Sequence, residues 1–323
     1  MTASSPTSPG VRQVEIDESS DGQRLDNFLL KTLKGVPKSM IYRIVRQGEV
    51  RVNRRRARPD QRLQAGDVVR IPPVRTAAAA PVPRKGADYG WIEGRVLYED
   101  ADLLVIDKPS GMAVHGGSGI SLGLIEALRL LRPNAPMLEL VHRLDRETSG
   151  CLIIAKRRSV LRALHQALRE GKTDKRYLAL IKGEWQGRGR RIEVALAKNQ
   201  LQSGERVVRA DDEGKLSISK VTPQRNFPPR EQLPEGAALV AIDLLTGRTH
   251  QARVHMAHIG QAIGGDSKYG DKEFNRHLQQ LGLRRLFLHA SRIRFTHPRK
   301  ACKIEISAPL PGDLESVLEQ LKS

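Results

Sequence analysis

The sequence predicts an α+β protein of two domains, the smaller one basic and placed first. Three observations carry that reading. A chain of 323 residues exceeds one ordinary domain, and 39% hydrophobic residues suffice for a large core. Positive charge is concentrated: residues 22–75 hold 14 Lys plus Arg against 4 Asp plus Glu, a net +10 out of the chain's +19. Beyond residue 90, strand-like and helical runs follow one another irregularly, unlike the strict alternation of a doubly wound parallel sheet.

In order along the chain, residues 1–21 read as a disordered tail, opening with Ser, Thr and Pro and showing no basic or apolar region of a signal peptide. Residues 22–75 read as a compact unit. Leu25, Phe28, Leu29 and Leu33 recur at helical spacing; Ser39 is placed to cap a second helix holding Ile41, Ile44 and Val45, and Gly48 stops it. Strands at 50–52 and 68–71 close the unit, the second entered through the Ala65-Gly66-Asp67 turn. Residues 76–90 continue a stretch of Pro, Ala and charge without periodicity, which reads as a linker. The second domain, 91–323, begins with a hairpin at 96–98 and 103–106. Helices follow at 121–132 and 159–170, then strands at 177–181, 216–221 and 239–244, then a helix at 249–259 stopped by Gly260.

Composition narrows the function. A pI near 10.4 calls for a polyanionic partner. The longest apolar runs, such as 151–155 and 237–242, are far too short to span a bilayer, so nucleic acid is favoured over a membrane. Cys151 and Cys302 have no metal-ligand or redox spacing and read as reduced thiols, in keeping with a cytoplasmic protein.

The most informative stretch is HRLDRETSG at 142–150. It lies between an apolar run at 138–141 and a strand-like run at 151–155, so Asp145 sits on a loop, where reactive groups are commonly presented. Arg143 and Arg146 flank it as counter-ions, leaving an oxygen nucleophile that needs no metal. Read alone, this is equally a turn ion pair followed by a strand. The string, however, resembles the HRLDxxTSG signature of the RluA-type pseudouridine synthases. DKPSG at 107–111, KRY at 175–177 and TGRTHQARVH at 246–255 resemble further motifs of that family, continued by Gly265-Asp266, Tyr269-Gly270 and RLFLHA at 285–290. Ahead of them, RLDNFL, PKSMIYRIVRQGEVRVN and LQAGDVVRI resemble the S4 RNA-binding module. Together the resemblances cover nearly the whole chain.

What they imply is specific. Asp145 is the nucleophile, Arg253 its counter-ion, and Tyr177 stacks on the target uracil. Leu288 packs beneath the base, and Arg143 helps to open the site by filling the flipped base's former place. In the S4-like part, Lys38, Arg43, Arg46, Arg51, Arg54, Arg55 and Arg56 contact phosphates, the alternative being a solvated basic face. GVPKSMIYRI, KPSGMAVHGGSG and LQSGERVVR are closest to members acting on 23S ribosomal RNA, which implies that RNA or a precursor of the large subunit as partner, with a monomeric enzyme and no cofactor. The family's usual Ile or Leu is replaced by Ala252, and residues 226–236 look like an altered loop.

Other chemistries fit less well. HQARVHMAH lacks HExxH, so no metal is expected, and the Gly-rich run at 116–119 lacks the ending of a phosphate loop. A non-catalytic S4-type ribosome-assembly protein is the alternative from another class, and the same chemistry on another rRNA site or on tRNA is the nearer one.

Overall fold

The structure, a computed structural model, describes residues 10–33, 36–74, 89–116, 122–200 and 206–322. The chain divides into two compact units, Met1–Asp88 and Tyr89–Ser323. Most of the linker expected at 76–90 lies outside the described residues.

The first unit orders β1 (Arg12–Glu15), α1 (Leu25–Thr32), α2 (Lys38–Arg46), β2 (Arg51–Val52), β3 (Arg55–Arg56) and β4 (Val68–Ile71). Its sheet runs β1-β4-β2-β3. This corrects the tail expected over 1–21, because Arg12 pairs with Ile71 and Ile16 is buried in the unit's core. The Ser39 cap is corrected too: Pro37 occupies the N-cap, and its extended ψ of 142° starts the helix with no side-chain cap bond. Apolar residues Leu25, Phe28 and Leu29 of α1 meet Ile41, Ile44 and Val45 of α2. Asp26 locks the pair, accepting two bonds from Arg24 and one from the Tyr42 hydroxyl; the Arg24 bonds draw its pKa to about 2.

With their apolar neighbours turned inward, Lys38, Arg43 and Arg46 are exposed on α2, as are Arg51, Arg54, Arg55 and Arg56 around the β2–β3 hairpin. Asn53 and Arg54 both have positive φ, 49° and 66°, as a two-residue hairpin turn of this hand requires. Arg54 therefore stands at the tip. Among the described residues, none of these seven cations is in a salt bridge.

The second unit orders β5 (Val96–Glu99), β6 (Leu103–Lys108), α3 (Leu124–Leu131), β7 (Glu139–Leu140), β8 (Ser149–Ala155), α4 (Arg158–Arg169) and β9 (Asp174–Lys182). There follow β10 (Arg190–Gln200), β11 (Arg206–Ala210), β12 (Lys215–Phe227), β13 (Ala237–Leu244), α5 (Gln251–His258), α6 (Lys272–Gln280), β14 (Leu288–Thr296), β15 (Lys303–Ser307) and α7 (Gly312–Gln320). One sheet runs β11-β10-β12-β13-β9-β14-β8-β6-β5, with β15 and β7 paired to β14 and β8. It is antiparallel except where β14 meets β8, so the α+β expectation holds. Strands β10, β11, β14 and β15 and helices α6 and α7 add to the elements read from sequence.

Both faces of the sheet are covered, as the alternation of β8 requires: Leu152 and Ile154 join a core with α3, while Cys151, Ile153 and Ala155 join another with α4. The 226–236 segment is held down by packing. Asn226 accepts from the Trp185 amide and donates to its carbonyl, and Phe227 and Leu233 enter the core beneath α6 and α7.

Candidate active site

Asp145 stands on a turn in which the Thr148 amide donates to the Asp145 carbonyl at 3.2 Å. Both ends of the turn are anchored. Leu144 is buried, and His142, its pKa drawn to about 4 by burial, accepts the Ile153 amide at Nε2. At the other end Gly150 has φ 108°, and a Cβ there would lie 2.3 Å from the Ala290 carbonyl oxygen. Only glycine lets β8 run this close to β14.

The middle of the turn is braced by the DKPSG segment. Lys108 is wholly buried and donates to the carbonyls of Pro109 and Met112, each at 2.8 Å, and of Arg146 at 3.0 Å. The Gly111 amide donates to the same Arg146 oxygen, and the Ser110 hydroxyl to the Glu147 carbonyl. Burial lowers the Lys108 pKa to about 7, with the charge of Asp145 opposing the fall. Sequence reasoning missed this function of Lys108 because its partners are backbone oxygens, which no side-chain pattern reveals.

The cations facing Asp145 are not its neighbours in sequence. Arg146 turns toward Glu147, at 3.5 Å, and Arg143 is exposed at the edge of the cleft. Opposite the carboxylate, Arg253 Nη1 lies 3.6 Å from Oδ2 and His250 Nε2 lies 3.8 Å from Oδ1. The expected flanking pair is thus corrected, since side chains on a tight turn diverge. Arg253 is itself fixed by Asp266: Nε donates to Oδ2 and Nη2 to Oδ1, both at 2.7 Å. Burial alone would raise the Asp266 carboxyl, but the bonds from Arg253 outweigh it and hold the pKa below the usual range.

Helix α5 begins at Gln251, not at 249 as the pattern suggested, so Arg248 precedes the helix instead of sharing it with Arg253. Gln251 sets this junction. Its Oε1 accepts from the Arg248 amide and the Thr246 hydroxyl, while its Nε2 donates to the Ile218 carbonyl and the Ser219 hydroxyl of β12.

Tyr177 lies on β9 opposite Ile242 of β13, 8% exposed, and burial raises its hydroxyl pKa. Leu288 opens β14, and both belong to the same apolar core as Leu144 and Leu244. Arg143, Asp145, Tyr177, Arg253 and Leu288 therefore meet around one cleft of about 60 Å³, together with Arg248 and His250. The sheet order explains why: β14 inserts between β8 and β9, bringing Leu288 at its start beside Tyr177's stretch of β9 and beside the turn that leads from Asp145 into β8. The histidines gather no metal-like set here. Among the described residues such spacing occurs only at Asp100, Asp102 and His297, where Lys300, Arg299 and Arg157 already engage the carboxylates.

A carboxylate, a buried tyrosine, an apolar floor and a fixed arginine thus share one cleft, and comparison with known proteins shows the family of the chain that builds it. The chain belongs to the RNA pseudouridylate synthase family, whose model matches residues 102–258, and an S4 domain matches residues 23–69. It is an RNA pseudouridine synthase. It is 51% identical over 314 residues to the "Ribosomal large subunit pseudouridine synthase C" of Pasteurella multocida, covering 97% of this chain and 94% of that protein. It is 50% identical over 322 residues to the protein of the same description from Escherichia coli K12, covering 98% of each. Among solved structures, human RNA Pseudouridylate Synthase Domain Containing 4 shares the fold, with a TM-score of 0.56, 24% identity and coverage of 72% of this chain and 95% of that one.

Proposed function

We propose that this enzyme isomerises specific uridines of large-subunit ribosomal RNA, 23S rRNA in bacteria, with Asp145 as nucleophile. The observation that supports the substrate is identity of about one residue in two, across essentially the full length, with proteins described as ribosomal large subunit pseudouridine synthase C. Action on ribosomal RNA supports a cytoplasmic location in this reading, and one chain carries every proposed catalytic group, which supports a monomer.

The reaction breaks the N1–C1′ bond, turns the uracil and joins C5 to C1′. C5 gives up a proton and N1, released from C1′, gains one, so no electrons are gained or lost. A carboxylate can form the transient covalent bond, and a base of modest strength can take the C5 proton. In this reading the uridine leaves its stack to enter the cleft, Tyr177 stacks on it, Leu288 supports its other face, and Arg143 at the rim fills the gap. A larger hollow of about 480 Å³ beside the cleft, sharing Arg248, suits a neighbouring nucleotide.

Mapping pseudouridines in rRNA and tRNA from cells with and without the protein tests the substrate. Loss confined to large-subunit rRNA is expected; loss confined to tRNA would replace this reading by the nearer alternative.

The first unit serves docking in this reading, through phosphate contacts from Lys38, Arg43, Arg46, Arg51, Arg54, Arg55 and Arg56. Removing residues 1–86 should weaken binding most at low salt. The slope of log affinity against log salt should become shallower by about 0.7–0.9 per lost phosphate contact. Single-turnover rates on a short unpaired uridine loop should survive better than on folded rRNA. An unchanged slope would mean that these cations are merely a solvated face.

A further inference from the structure

His250 faces the nucleophile's second oxygen, and none of the roles above uses it. Its surroundings determine where its proton lies. His250 Nδ1 is 2.8 Å from the Tyr269 hydroxyl, and that hydroxyl accepts the Val208 amide at 2.9 Å. With the amide occupying an acceptor position, the single hydroxyl proton is available to Nδ1. The neutral imidazole then carries its own proton on Nε2, which lies 3.8 Å from Asp145 Oδ1. The other tautomer would point a ring lone pair at a carboxylate oxygen and be repelled.

Two further observations bear on the same group. The His250 backbone is left-handed, φ 55° and ψ 17°, just ahead of α5. That conformation is unfavourable for a residue with a side chain, and such strain collects where a side chain is held for function. Tyr269 also touches both groups that face Asp145: its ring lies edge-on to His250, with centroids 5.5 Å apart, and 5.1 Å from the Arg253 guanidinium carbon.

We propose that His250 is a positioning residue for the nucleophile: Tyr269 locks it with the proton on Nε2, so that it orients one oxygen of Asp145 while Arg253 orients the other. This rests on the reading of Asp145 as nucleophile. Sorting the two oxygens leaves the carboxylate a single plane in which to meet the flipped uridine, and orientation of this kind governs rate steeply. At 3.8 Å the contact is electrostatic; catalytic contacts ordinarily tighten once substrate fills the site.

The arrangement requires a neutral His250. A second proton would meet the Tyr269 hydroxyl proton head-on and would clamp Asp145 in an ion pair. Around the ring, Asp145 and Asp266 favour the charged form, while Arg253 and Lys268 oppose it along with burial, the largest influence, which lowers its pKa. Tyr269, donating to Nδ1, also favours the neutral form.

Single-turnover tritium release from a C5-tritiated large-subunit rRNA transcript, measured from about pH 5 to 9, tests the proposal. RNA affinity and thermal unfolding are followed alongside. His250→Ala should slow the reaction about 100-fold with affinity little changed. His250→Gln, which keeps an N–H donor that does not titrate, should recover about tenfold of that loss and flatten the acid limb of the profile. Tyr269→Phe should move the acid limb to higher pH, because the neutral imidazole loses its partner at Nδ1. Equal losses at every pH, an unmoved acid limb and no recovery with glutamine would overturn the proposal. Asp145→Asn is run in parallel: turnover in that variant would instead unseat the nucleophile.

Discussion

Asp145→Asn is expected to abolish isomerisation while leaving the RNA bound. The amide matches the carboxylate in size and can take part in the same turn, whose Thr148 bond is to the backbone carbonyl and is untouched by the exchange. What disappears is the oxygen nucleophile. Tritium release should fall by at least about 10⁴-fold, the scale on which loss of a nucleophile registers. RNA affinity should stay within about threefold, since no phosphate contact is removed. The fold should persist, because Lys108, Ser110 and Gly150 hold the turn independently of this side chain. Parental turnover in the variant would place the nucleophile elsewhere.

Arg253→Leu should have two separable effects. Catalytically it leaves Asp145 without the guanidinium that faces it, and losing one fixed electrostatic partner of this kind costs about 10²–10³ in rate. Structurally it takes the bidentate partner from Asp266, whose side chain is 1% exposed and keeps only the Lys268 and Tyr269 amides on Oδ1. Breaking a buried pair from one side costs about 3–5 kcal/mol. The pH dependence has a definite sign. In the parent the depressed Asp266 pKa contributes stability that is present above the unfolded-state value and lost as pH falls through the folded one. In the variant the stranded carboxyl is pushed upward, so its cost is greatest at neutral pH and disappears as acid protonates it. The parent-minus-variant stability gap, measured by denaturant unfolding, should therefore shrink on going from neutral pH to about pH 4. A gap independent of pH would mean that Asp266 has found another partner.

Much of this cleft is legible in the sequence because its lining residues fall in short motifs that resemble those of one family. Asp145, Tyr177, Arg253 and Leu288 were all found that way, and α3, α4 and the hairpin of β5 and β6 follow from apolar spacing. What sequence concealed depends on contacts between distant segments. Asp266 fixes Arg253 across a turn, Tyr269 reaches back to His250, and Lys108 spends its charge on carbonyls 38 residues away at Arg146. Strand β10 escaped notice because RRIEVALAKNQ begins with two arginines and places charge within the run. The Arg143 and Arg146 expectation failed for the opposite reason: proximity along the chain was taken for proximity in space, and a turn separates the two.

The position of β14 also bears on how this protein is made. Residues 174–244 supply five consecutive strands on one side of the sheet and residues 96–155 supply four on the other, the short β7 among them, yet the strand that joins them begins at residue 288. A ribosome finishes both groups long before the joining strand emerges. In the interval β8 and β9 are apolar edges facing an empty lane, which is the hazard that slow, long-range pairing brings. The cleft itself is incomplete before that insertion, because Leu288 of its lining and the partners of Ser149 and Gly150 arrive with β14. A nascent chain is thus expected to stay silent until β14 has emerged, with unpaired strand edges exposed until then.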